Sequence, residues 1–374
     1  MRISRSSSPL VSLLVLSVFA CSSTDETPTP SDASAVDGST PDASAEDSGS
    51  VDGGTVDADA AVTSDSSTSD VVVRTDVKLT GFVHPIDLYV PPGATRVVVF
   101  LHGGGGSKSQ GAEQLGLRIE AKDGTVTYDK AWLLANRIAF VIPQGQAPNG
   151  QRGYTWTNYV MTSGVDDIAF LTALTSAIRG GTLDSSLPAL PKIAVAGHSN
   201  GGMMTNRLWC EAPNLFDAFV SFAGPASVHL GVGGDHACAP SARKPYLGYV
   251  GDQDTVLQTS GKSDVATWTV APTLANTPGF VDPDLVNEAF FHREVRVPKT
   301  CAGVASDPVT VGPLTTFSDC SGKIRLVRVQ GADHCLSGAL CTYGFGSKSG
   351  PSIGQVVGKR VIDLLAEFFV AQVP

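Results

Sequence analysis

One stretch constrains this chain more than any other: Ile193-Ala194-Val195-Ala196-Gly197-His198-Ser199-Asn200-Gly201-Gly202. Its first four residues read as a buried strand, and Asn200–Cys210 has helical periodicity. Between them the chain must turn from strand to helix within a few residues. So tight a turn leaves no room for side chains two positions before and two positions after its apex, and Gly197 and Gly201 stand at those places. The apex, Ser199, then presents its hydroxyl above a sheet edge at a helix N-terminus. A bare G-x-S-x-G arises by chance in a chain with 40 glycines. The strand before it and the helix after it make Ser199 a candidate nucleophile.

Such a strand belongs in a sheet covered on both faces, and the rest of the chain supplies one. An opening pair of strands is expected at Val71–Lys78 and His84–Val90, ended by Pro91-Pro92-Gly93. Buried strands are expected at Val97–Leu101, Ile138–Ile142, Ile193–Ala196, Phe219–Phe222, Tyr246–Val250 and Ile324–Val329. Helices are expected at Lys130–Asn136, Asp166–Arg179, Asn200–Cys210 and Gln355–Ala371. The alternation predicts an α/β fold, a mostly parallel sheet with helices on both faces. Gln258–Pro298 interrupts it: Val286–Val295 reads as a helix and the remainder as an insertion over the sheet.

A serine hydroxyl is a poor nucleophile near neutral pH, so it needs a base and an orienting carboxylate, here in the chain order Ser, acid, His. Two histidines lie far enough downstream, His292 and His334. His292 falls in the expected helix, where a structural role fits. His334 follows the strand Ile324–Val329 in the turn Gly331-Ala332-Asp333, where catalytic loops lie. The strand Tyr246–Val250 runs into Gly251-Asp252-Gln253-Asp254. Either aspartate satisfies that position; we assign the role to Asp254 and read Asp252 as capping a turn.

Leu101-His102-Gly103-Gly104-Gly105-Gly106-Ser107 follows a strand and has the composition of a backbone-donor loop. The N–H groups of Gly104 and Asn200 are the expected donors to a developing oxyanion, an interaction worth about 3–4 kcal/mol per donor. Trp156 is a candidate for stacking on an aromatic or sugar substrate, with a packing role as the alternative. Asp166 and Asp167 open a helix and read as capping residues. No cofactor or metal is expected: the cysteine spacings lack a zinc pattern, and Asp282 and Asp284 lack the spaced acids of a calcium loop.

Leu101–Ser107, Gly164–Leu171, Gly197–Cys210, Gly251–Val256 and Gly331–Cys335 together resemble the secreted α/β-hydrolase esterases grouped as polyhydroxybutyrate depolymerases and feruloyl or acetylxylan esterases. The resemblance covers about residues 72–374, and Gly197-His198-Ser199-Asn200-Gly201-Gly202-Met203-Met204 is its most specific part. It implies the α/β-hydrolase fold, an ester substrate of polyester or plant cell-wall type, Ser199, Asp254 and His334 as the triad, and a Cys210–Cys238 disulfide fixing the helix after Ser199. Two departures stand out. Cys335-Leu336-Ser337 replaces the family's aromatic and proline after the histidine, and Gly153–Asn158 is all that represents its tryptophan-rich loop.

Residues 1–21 read as a secretion signal, with Arg2 and Arg5 before the apolar Leu10–Ala20. Val18-Phe19-Ala20-Cys21 resembles a bacterial lipobox, which predicts lipidation at Cys21 and a cell-envelope lipoprotein; ordinary cleavage nearby, giving a secreted chain, is the alternative. Residues 22–71 read as a disordered tether. From Ser22 to Asp70 there are twelve acids, no Lys or Arg, and no Leu, Ile, Met, Phe, Tyr or Trp. With the two arginines before them, those acids account for the net charge of −10, leaving residues 71–374 formally neutral. A nucleic-acid partner is therefore not expected. After residue 21 no apolar run is long enough to span a bilayer, so membrane contact is expected only through a lipid anchor.

Setting Cys21 aside leaves Cys210, Cys238, Cys301, Cys320, Cys335 and Cys341 for an oxidising compartment. Of the fifteen possible pairings, proximity along the chain favours Cys210–Cys238, Cys301–Cys320 and Cys335–Cys341. The residues together predict an exported serine esterase. Its rivals are a serine peptidase of the same fold and a catalytically silent surface lipoprotein that uses the fold to bind.

Overall fold

The alternation of side chains along the strands is expressed on both faces of one sheet. A computed structural model describes residues 70–147, 153–159, 163–224, 226, 228–230, 235–254, 256, 309–338 and 350–374. In β3 (Arg96–Leu101), Val97, Val99 and Leu101 join one buried cluster, whereas Val98 and Phe100 join the other. In β7 (Lys192–His198), Ile193 and Val195 part from Ala194 and Ala196 in the same way. Strands buried on both faces require a helical layer on each. α3 (Asp167–Arg179) and α4 (Asn200–Glu211) cover one face with Phe170, Leu174, Leu208 and Trp209. The other face is covered by α1 (Lys108–Leu115), α2 (Lys130–Asn136), α5 (Ile353–Val357) and α6 (Val361–Gln372), through Leu115, Leu133, Ile353, Leu365 and Phe369.

β1 (Val72–Lys78) and β2 (Pro85–Val90) form the expected opening pair, antiparallel to each other. β2 is antiparallel to β6 (Ile138–Pro143), from which the sheet runs parallel through β3, β7, β8 (Ala218–Phe222), β9 (Tyr246–Gly251) and β12 (Ile324–Val329). β11 (Leu314–Asp319) and β10 (Val309–Val311) extend it antiparallel beyond β12. A separate hairpin joins β4 (Arg118–Glu120) to β5 (Val126–Tyr128). The chain passes from β3 to β6 on one side and then to β7 on the other, and such a reversal opens a crevice beyond the carboxyl ends of the strands. The register aligns those ends along one edge: Leu101 faces Gly197, His198 faces Phe222, and Val329 faces Gly251.

The helix expected at Gln355–Ala371 is two helices. Gly358 adopts φ 69° and closes α5 with its N–H on the Gln355 carbonyl, and Arg360 starts α6 in extended conformation. At the start of α5, Ser352 and Gln355 form a reciprocal capping pair. The expected helix Val286–Val295, the insertion Gln258–Pro298, the signal, Cys21 and all but the end of the tether lie outside the described residues. No helix among the described residues is long and apolar enough to cross a membrane.

Candidate active site

Loops that leave the aligned edge carry the residues singled out by the sequence. At the end of β7, Ser199 has φ 53° and ψ −117°. Such a conformation costs a side-chain-bearing residue about 1–3 kcal/mol. A Cβ at Gly197 would stand 2.2 Å from the Gly201 carbonyl oxygen, and one at Gly201 would stand 2.1 Å from that of Leu101. The turn therefore admits no side chain at either place. Ser199 N–H donates to Phe222 O at 2.8 Å, and Ser199 O accepts from Met203 N–H at 2.9 Å, which fixes the serine between β8 and the first turn of α4.

The loop after β9 brings Asp254 to the loop after β12, where His334 Nδ1 lies 2.7 Å from Asp254 Oδ2. Both side chains are buried. A carboxylate accepts only, so this contact places the proton of a neutral ring on Nδ1 and the lone pair on Nε2. Asp252 does not meet the ring; its Oδ1 accepts the Gly331 N–H at 2.7 Å. Asp333, beside the histidine, accepts His334 N–H at 2.8 Å and Gly350 N–H at 3.0 Å.

The glycine loop follows β3. Burial pushes the His102 imidazole down to about 4, so the ring is neutral. Its Nε2 accepts the Gly145 N–H at 2.9 Å, which leaves Nδ1–H to donate to Gly103 O at 2.7 Å. The Gly103 carbonyl shares its peptide plane with the Gly104 N–H, which points the opposite way across a trans peptide. Holding the one therefore aims the other. A Cβ at Gly103 would stand 3.4 Å from Ser199 Cβ, so this peptide lies against the serine. Asn200, the first residue of α4, contributes an N–H that has no acceptor within the helix.

Trp156 is corrected by its surroundings. It is 0% exposed, which leaves no face for stacking on a substrate. Its indole N–H donates to His102 O at 3.1 Å, while its backbone N–H and carbonyl pair with the Asn200 amide at 2.7 and 3.1 Å. Asn158 adds a donor to Asn200 O at 3.0 Å. The tryptophan thus clamps its loop between the glycine loop and the serine turn, and this packing role is the alternative reading of its sequence position. The exposed aromatic of the same loop is Tyr154, at 42% exposure, whose carbonyl accepts the Gly105 N–H at 2.8 Å.

Asp166 caps α3, its side chain accepting the Ala169 N–H at 3.1 Å. Asp167 is buried and holds the Thr157 N–H and the Ser163 hydroxyl, each at 2.7 Å. The Cys210–Cys238 disulfide is present, with Cα atoms 5.0 Å apart. Cys320 and Cys335 are also disulfide-bonded; Cys301 and Cys341 lie outside the described residues, so their pairings stay expectations. Among the described residues no cluster of His, Cys, Asp and Glu could hold a metal ion.

His198 and His102 carry no sequence signal of their own beyond their places in the two glycine motifs, yet each hydrogen-bonds backbone beside a candidate residue. His198 Nε2 lies 2.9 Å from His334 O. Burial, reinforced by the neighbouring His334, pushes its pKa down to about 3.

A serine turn after one central strand, a glycine loop after the third strand, and an acid and a histidine after later parallel strands define the α/β-hydrolase fold. No family model matches the chain, and no curated protein matches it. Solved structures similar to it include a dienelactone hydrolase from Anabaena variabilis, at 16% identity and TM-score 0.38, covering 81% of this chain and 98% of that one. An acetyl xylan esterase from Aspergillus awamori is similar at 13% identity and TM-score 0.44, over 71% of this chain and 94% of that one. A Zea mays acyl-protein thioesterase 2 is similar at 13% identity and TM-score 0.38, over 77% and 99%. At such values the fold assignment rests on the strand order and loops of this chain.

Proposed function

We propose that the chain is an exported serine hydrolase that cleaves carboxylic esters through an acyl-enzyme intermediate. The observation that carries this reading is the buried 2.7 Å contact of His334 Nδ1 with Asp254 Oδ2, on loops that leave the same sheet edge as the Ser199 turn. Ser199 Oγ attacks the ester carbonyl carbon as His334 Nε2 takes its proton. The N–H groups of Gly104 and Asn200 hold the tetrahedral oxyanion. Collapse expels the alcohol, which leaves with the proton from the imidazolium. Water, activated by the same histidine, then releases the acid and restores the serine. Asp254 fixes the tautomer and stabilises the imidazolium. No cofactor enters this sequence.

The substrate class, a polyester or a plant cell-wall ester, is supported by the motif resemblance over residues 72–374. Lipidation at Cys21 and a tether over residues 22–71 would hold the domain at the cell envelope. The test is fluorophosphonate labelling of the full chain together with hydrolysis of p-nitrophenyl esters, methyl ferulate, acetylated xylan and polyhydroxybutyrate. Label on Ser199, with turnover lost in Ser199→Ala, is the expected result. A chain that neither labels nor hydrolyses any of these is a silent binding protein.

A further inference from the structure

We infer that His198 is a positioning residue that sets the distance between nucleophile and base by hydrogen-bonding the backbone of His334. The inference rests on the reading of Ser199 and His334 as that pair. His198 is the last residue of β7 and the residue before Ser199. Its ring is 1% exposed and lies 4.8 Å, centroid to centroid, from the ring of His334, tilted by 52°.

A carbonyl oxygen only accepts, so the 2.9 Å contact to His334 O requires the proton on His198 Nε2. The ring is neutral, with its pKa near 3, so Nδ1 carries a lone pair. That nitrogen is buried with no hydrogen-bond partner among the described residues, and it faces Gly103, where a Cβ would stand 3.3 Å away. An unsatisfied buried acceptor costs about 1–3 kcal/mol. An apolar side chain would fill this space without that penalty, so packing alone does not account for an imidazole here. What the imidazole adds is the Nε2–H bond.

That bond joins two other holds on His334. Asp254 holds Nδ1 of the ring, Asp333 holds the backbone N–H at 2.8 Å, and His198 holds the backbone carbonyl. The first two partners lie on the loops after β9 and β12. Only the third is covalently joined to the nucleophile, so one residue and one hydrogen bond connect Ser199 to the base, although His198 and His334 stand 136 positions apart in sequence. A displacement of about 1 Å in a catalytic group can cost on the order of a hundredfold in rate.

The experiment compares His198→Leu and His198→Gln in the full chain. Leucine keeps bulk and removes the donor; glutamine returns an N–H close to the position of Nε2. We expect His198→Leu to lower kcat about 10- to 100-fold with KM within about twofold, and His198→Gln to recover most of it. The low-field proton NMR signal of the His334–Asp254 bond supplies a readout independent of turnover: it should broaden or shift in the leucine variant and persist in the glutamine variant. An unchanged signal and unchanged kcat in His198→Leu would overturn the inference, as would equal loss in both variants. A wild type without esterase activity would sink the proposed function, and the proton signal would still test the grip on His334.

Discussion

Asp252 and Gly331 join the two loops that carry the candidate acid and base: Asp252 Oδ1 accepts the Gly331 N–H at 2.7 Å. The Gln253 N–H on Ala332 O, at 2.9 Å, adds a second rung. Two aspartates separated by one residue therefore do different work. Asp252 fastens the loops, and Asp254 meets the imidazole that the fastened loop presents.

Asp254→Asn should reverse the tautomer preference of His334, because an amide donates where a carboxylate only accepts. A fall in kcat on the order of 10⁴-fold is expected, with KM little changed. Asp252→Asn keeps an oxygen that can accept the Gly331 N–H, so kcat should stay within about tenfold. Steady-state kinetics on a p-nitrophenyl ester decide it, and the opposite ranking would move the acid to Asp252.

The buried Trp156 and the exposed Tyr154 give opposite signatures. Trp156→Phe keeps apolar bulk but strands the His102 carbonyl, a loss of about 1–3 kcal/mol in stability; Trp156→Ala should cost about 3–5 kcal/mol. Tyr154→Ala removes a ring that is 42% exposed, so stability should hold while KM changes. Urea melts and KM values for the three variants provide the check. A Trp156→Phe protein of native stability and altered KM would return the tryptophan to a substrate-stacking role.

The sequence revealed these features unevenly, for physical reasons. The strand runs and the two glycines around Ser199 are local signals, and β7, β8, β9 and β12 stand within two residues of where their apolar runs place them. Burial of Trp156 depends on Asn200 and His102, which are 44 and 54 positions away, so a loop tryptophan gave no sign of which way it faced. α1 escapes periodicity because only Ala112 and Leu115 are apolar in Lys108–Leu115, and the position facing Phe100 of β3 is a glycine, Gly111, where a Cβ would stand 3.3 Å from the ring. The break at Gly358 was written in the glycine itself, but Val356, Val357 and Val361 carry the apolar pattern across it.

The two neutral buried histidines make stability depend on pH. An unfolded histidine titrates near 6.5, whereas His102 titrates near 4 and His198 near 3 in the fold. Between pH 6.5 and 4 the unfolded chain binds protons that the folded chain refuses, so stability that is complete above 6.5 is lost as the pH falls. Each histidine contributes on the order of 3 kcal/mol across that window. Glutamine does not titrate, so His198→Gln should lose less stability on acidification than wild type, the carboxylates being common to both. Urea midpoints at pH 7 and 4.5 measure the difference; parallel losses would show that His198 is not held neutral.

The Cys210–Cys238 disulfide should govern stability and leave the chemistry alone. It closes a separation of 28 residues, which in the chain-entropy account stabilises the fold by about 3–4 kcal/mol. Cys210 stands near the end of α4, eleven residues from Ser199, or about 16 Å along the helix at 1.5 Å per residue. Local restraints hold the serine independently: the Phe222 carbonyl on its N–H, and the Asn200 amide on the Trp156 backbone. The double variant Cys210→Ala, Cys238→Ala avoids burying two hydroxyls. It should lose that much stability in urea melts while its kcat, measured well below the new midpoint, stays within about twofold of wild type. A large fall in kcat with little loss of stability would show instead that the cross-link positions the serine turn through the length of α4.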